Sequence, residues 1–100
     1  MAALSVLTSR SGTITLGGTA QDVCAANSNR RGFTFQNNSA VDMWLNLLGA
    51  TAVAAQPSMK IPAGAYYEMP VLPNSGQAAS TLKISVFCST TSSAFTATEW

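Results

Sequence analysis

The segment RRGFTFQNNSAVDMWLNL, residues 30–47, decides how this chain is organised. Successive side chains of a strand point to opposite faces, so Phe33 and Phe35 share one face and Thr34 and Gln36 the other. Asn37, Asn38 and Ser39 then supply turn chemistry, because their side chains bond nearby backbone and asparagine tolerates left-handed geometry. Alternation resumes past the turn, with Val41, Met43, Leu45 and Leu47 on one face and Asp42, Trp44 and Asn46 on the other. The pattern predicts a hairpin with one apolar face. Such a hairpin is marginal alone in water and needs a second layer over that face.

The rest of the chain reads as that layer. The run MAALSVL, residues 1–7, is apolar, too short to span a membrane, and lacks the layout of a signal peptide. It is expected as a first edge strand or as part of an arm, residues 1–10, that packs on a neighbour. GTITLG, residues 12–17, sets Ile14 and Leu16 against Thr13 and Thr15, and Gly17-Gly18 ends that strand. A further strand centred on Val23 and Cys24 is expected over 19–26. The stretch GATAVAAQ, 49–56, is expected as an irregular connection or crossover, although alanine also permits a helical turn. SMKI, 58–61, turns Met59 and Ile61 inward, and AYYEM, 65–69, sets Tyr66 and Tyr67 on opposite faces. Pro70 and Pro73 keep their segment out of a central strand, and 73–80 is loop. LKISVFC, 82–88, alternates most strongly, with Leu82, Ile84, Val86 and Cys88 on one face, and FTATEW closes the chain as a last strand. The spacing predicts about eight short strands, hence an all-β fold: a single antiparallel β-sandwich over 1–100, with a jelly roll as the candidate topology.

Composition narrows the chemistry. Charged residues make up 9% of the chain, against roughly a quarter in ordinary domains. So little surface charge suits a domain whose surface is largely covered by partners, or a secreted β-protein. A net charge of +1 gives no hold on a polyanion, so neither nucleic acid nor an anionic membrane is an expected partner. The chain has no histidine, which removes Ser–His and Cys–His nucleophiles and most zinc sites. No cofactor, metal or catalytic residue is expected, and the protein reads as no enzyme. Cys24 and Cys88 form no C-x-x-C. A disulfide between them would add about 4 kcal/mol by chain entropy, but two buried thiols are the favoured expectation.

Four carboxylates are present, Asp22, Asp42, Glu68 and Glu99. Asp42 and Glu68 are the one conceivable glycosidase pair, but ion pairs to Lys60 and Arg31 or plain solvation explain them more simply. Trp44, between Asp42 and Asn46, has three readings: a sugar-stacking platform with Tyr66 as second wall, a protein-interface anchor, or core. Arg30 and Arg31 stand at a strand entrance and suit surface or intersubunit ion pairs. Leu4 and Leu7 of the N-terminal run and Trp100 at the other end complete the candidate interface residues. Asn37-Asn38-Ser39 matches the glycosylation pattern, without a leader to give it meaning.

Four linked segments carry a resemblance. They are N-R-R-G-F-x-x-Q-N-x-S from Asn29 to Ser39, the apolar strand and small-residue loop from Met43 to Ala55, I-P-A-G-x-Y-Y-E from Ile61 to Glu68, and T-x-T-E-W from Thr96 to Trp100. Together they resemble a family of small tailed-phage virion proteins. The resemblance implies a structural protein of the virion, assembled in the bacterial host cytoplasm. A capsid decoration (cement) protein is the first expectation, bound to the major capsid protein or tail components and to copies of itself. A tail or fibre module that binds a receptor or carbohydrate is the second.

Overall fold

The computed structural model describes residues 7–100, which form nine strands. These are β1 Thr8–Ser9, β2 Gly12–Thr13, β3 Gln21–Cys24, β4 Phe33–Asn37, β5 Met43–Asn46, β6 Met59–Ile61, β7 Tyr66–Glu68, β8 Ile84–Cys88 and β9 Ala94–Glu99. All pairings are antiparallel and fall into two sheets. One sheet has the order β1-β9-β4-β7, with β2 also on β9, and the other has the order β3-β8-β5-β6. The fold is all-β, a sandwich of short strands. Taken as one interrupted strand, β1 and β2 reduce the nine strands to eight, and the two orders are then those of a jelly roll.

Burial follows the alternation. Phe33 and Phe35 of β4 and Phe95 and Ala97 of β9 face inward from the first sheet. Met43, Leu45, Ile61, Ile84, Val86 and Cys88 answer them from the second. The Phe35 and Phe95 rings stack at 5.3 Å with planes 18° apart. A large apolar side chain fully buried in this way contributes about 1.5–3 kcal/mol.

The segment 30–47 forms two strands, as its period requires, but they do not pair. Strand β4 lies in one sheet and β5 in the other, so the connection is an arch across the core rather than a hairpin. Alternation is the same in both arrangements; what differs is the direction in which the turn rotates the chain. Asn37 sets that direction. It is fully buried, its Nδ2 donates to Val41 O (2.7 Å) and Ile61 O (2.9 Å), and its Oδ1 accepts from the Ser39 N–H and hydroxyl. This also closes the glycosylation reading, because the Asn37 amide is committed inside the fold.

Several expectations are corrected. The strand expected over 12–17 stops at Thr13; Ile14 is buried but Leu16 is exposed beside the turn at Gly17 and Gly18. Leu82 lies before β8 and is exposed, so the inward row begins at Ile84. Asn46 sits on the outer face of β5 yet is buried, because residues 48–52 fold back over it. Its Oδ1 accepts from the N–H groups of Leu48 (2.8 Å) and Ala50 (3.4 Å). The connection over 48–58 is irregular, as expected, and joins neighbouring β5 and β6. Of the expected arm, residues 8–10 are docked on β9, Leu7 is exposed, and 1–6, with Leu4, lie outside the described residues.

Replacing Asn37 with alanine takes the side-chain donor from the Ile61 carbonyl, one donor from the Val41 carbonyl and the acceptor from the Ser39 N–H. Each orphaned buried group costs about 1–3 kcal/mol, so Asn37→Ala should lower the urea midpoint sharply with an unchanged m-value. Loss of less than ~1 kcal/mol would mean that the arch is held by packing alone.

Candidate functional site

Two places in the fold gather polar chemistry. The first is the end of the sandwich where Arg30 enters β4. Arg30 is 0% exposed. A guanidinium has five N–H donors, and all are matched here. Nε donates to Glu99 Oε2 at 2.9 Å; Nη1 donates to the Ser80 and Leu82 carbonyls; Nη2 donates to the Ala25 carbonyl and to Cys24 Sγ at 3.3 Å. Glu99 reaches this position because Phe95, Ala97 and Glu99 share the inward face of β9. Its other oxygen accepts from Arg10 Nε and Nη2, at 3.2 and 3.0 Å, from the strand segment that β9 carries on its outer edge.

Burial alone pushes the Glu99 carboxyl upward, but hydrogen bonds from Arg30 and Arg10 outweigh it and hold the group below the ordinary carboxylate value. Burial pushes the Cys24 thiol up to about 11, against the pull of Arg30. Such a thiol stays protonated and poorly nucleophilic at neutral pH. The two cysteines are free and buried. Cys24 lies opposite Ile84, while Cys88 is four residues further along β8 at about 3.3 Å per residue. That separation of roughly 13 Å is well beyond disulfide reach, as the expectation of separate thiols required.

The second place is a groove of about 470 Å³ on the outer face of the β3-β8-β5-β6 sheet. Trp44 on β5 and Phe87 on β8 stand directly opposite each other and line it. Ala40, Val41 and Asp42 of the arch form one side, Ala54 of the 48–58 connection another, and Ser89 joins the rim. Both boundaries are tied down. Ser39 Oγ accepts from the Val41 N–H, and the Ser85 and Ser58 hydroxyls accept from the Ala52 and Val53 N–H groups. Asp42 pairs with Lys60 at 3.3 Å, and Lys60 lies opposite Trp44 on β6.

These positions correct the candidate set. Arg30 serves no surface or intersubunit pair, because its charge is spent inside the fold. Tyr66 is 58% exposed on β7 of the opposite sheet, so it forms no wall with Trp44; Phe87 does. Asp42, just before β5, and Glu68, on β7, are likewise carried by different sheets, and Asp42 pairs with Lys60, one of the partners expected. Trp44 is half-buried, with an open side in the groove. Arg31 is exposed. Trp100 is half-buried over Gly32, where an added Cβ would collide with the indole, and its carbonyl accepts from the Arg31 and Gly32 N–H groups. The Arg30–Glu99 pair, 69 residues apart in the chain, left no local signal in the sequence. Phe87 was legible only as an outward member of a strong strand. Among the described residues no group of three or more metal-ligating side chains gathers.

The chain matches no protein-family model, no curated protein and no solved structure at a significant level.

Removing one partner of a buried ion pair costs about 3–5 kcal/mol, because the other charge is left uncompensated. Glu99→Ala and Arg30→Lys should therefore each destabilise strongly, the latter because an ammonium has three donors where five are used. Since the folded Glu99 carboxyl titrates below its unfolded value, its contribution is present at neutral pH and is lost as pH falls below the ordinary carboxylate range. Urea titrations at neutral and acid pH check this: wild type should lose stability that Glu99→Ala has already lost. A thiol reagent should label Cys24 only as the protein unfolds, and rapid labelling of the native protein would contradict its placement.

Proposed function

We propose that this protein is a non-enzymatic structural component of a tailed-phage virion, a capsid decoration protein that stabilises the particle through contacts with capsid protein and with its own copies. The observation that carries this reading is what the surface offers for contact. Among the described residues, four ion pairs occupy every charged side chain except Arg31 and Glu68. Large apolar side chains stand exposed instead: Leu7, Leu16, Leu48, Val53, Tyr66, Val71, Leu72 and Leu82.

Part of this apolar surface is gathered. Leu82 lies against Gly49 beside Leu48, and Ser80 ties the approach to Leu82 to the same place through its hydroxyl, which donates to Leu47 O. Exposed apolar clusters of this kind mark contact surfaces. The four-segment resemblance to small phage virion proteins supports the same reading. So does the pairing of the charges, which leaves hydrophobic burial and hydrogen bonds to hold any assembly. Assembly in the host cytoplasm, a reducing compartment, agrees with two unpaired thiols.

Light scattering of the purified protein, with and without empty capsids, tests the proposal. A defined oligomer that binds capsids stoichiometrically and stays bound in about 1 M salt is the expected result, since screening acts on exposed charges and not on apolar contacts. A species that ignores capsids, or one released by moderate salt, would overturn it.

A further inference from the structure

We propose that the groove over Trp44 and Phe87 is a binding site for a neutral pyranose ring. A sugar ring has one face rich in C–H groups and an edge of hydroxyls that both donate and accept hydrogen bonds. The groove presents the counterpart of each. Trp44 and Phe87, opposite each other on β5 and β8, form an aromatic floor whose negative ring faces attract polarised C–H groups. Among the lining residues Asp42 supplies acceptors and Ser89 one hydroxyl that both donates and accepts, while Lys60, paired with Asp42 and opposite Trp44 on β6, supplies donors beside the groove.

The charge arrangement selects the ligand class. Asp42 and Lys60 neutralise each other at 3.3 Å. An anion at Lys60 would meet the Asp42 carboxylate beside it, and a cation at Asp42 would meet the Lys60 ammonium. A wholly apolar occupant would strip water from the pair and return no hydrogen bond, which is costly. A neutral polyhydroxylated ring meets none of these obstacles.

The site is also built beforehand. The arch rim at Ala40 and Val41 is held by the Asn37 and Ser39 side chains, and the Ala54 rim is held through Ser85 and Ser58. Rims fixed by hydrogen bonds between side chains and backbone lose little freedom on binding. The volume, about 470 Å³, lies within the usual range for small-molecule sites.

The protein has two tryptophans, Trp44 and Trp100, so their indole N–H resonances report on two separate places. Labelled protein should be titrated with the methyl glycosides of glucose, galactose, mannose and N-acetylglucosamine. The Trp44 signal should shift saturably with at least one of them, with a Kd on the order of 1 mM, while Trp100 stays in place. Trp44→Ala should abolish binding of that sugar, seen in the Phe87 ring resonances. Asp42→Asn, a change at an exposed side chain that leaves the core intact, should weaken it about tenfold, equivalent to ~1.4 kcal/mol. Three results would overturn the proposal. One is the absence of any saturable Trp44 shift with all four sugars. Another is an equal shift of Trp100. The last is a Trp44 signal that moves with protein dilution alone, which would make the groove a contact between copies.

Discussion

A guanidinium sealed between two sheets is the constraint on which the end of this sandwich depends. Arg30 binds Glu99 from one sheet, Cys24 from the other, and the carbonyls of Ala25, Ser80 and Leu82 from two loops. Desolvating a charge is tolerable only with this degree of satisfaction. The pair therefore does not add stability in the manner of apolar burial. What it enforces is a particular arrangement: β9 must end with Glu99 inward, the 80–82 loop must turn its carbonyls to the same point, and β1 must bring Arg10 to the remaining oxygen. Any packing that misplaces one of these leaves a buried charge unmet.

The arch between β4 and β5 makes the complementary demand on the other end. Both strands carry apolar side chains on alternate positions, and the chain buries both rows by facing them across the core. Asn37 is to this turn what Arg30 is to the far end, a buried polar side chain whose bonding capacity is met by the backbone around it. The arch has a consequence on the outside. Because β5 lies in the second sheet, Trp44 faces outward beside Phe87 rather than beside Tyr66. The groove is therefore a product of the crossover.

Low charge has two expressions here. Inside, the few ions are paired, and one carboxylate serves two arginines. Outside, apolar side chains and hydroxyls are left as the means of contact, and the Asp42–Lys60 pair gives the groove polarity without net charge.

The sequence alone determined the all-β class, nearly every strand and the inward rows of β4, β5 and β8, because strand burial imposes a period of two that survives in one dimension. It also showed the burial of Cys88, through its phase with Ile84 and Val86, while that both cysteines are separate thiols was the favoured expectation and not a result of the pattern. Strands of two residues, such as β1 and β2, carry too few positions to show a period, and the ends of rows such as Leu16 and Leu82 were overrun by surface loops. Only the tertiary structure decided that β4 and β5 part company, that Arg30 goes inside, that Asn46 is covered, and that Phe87 joins Trp44. Each of these depends on which way a turn rotates the chain or on a partner dozens of residues away. A local pattern of side chains contains neither.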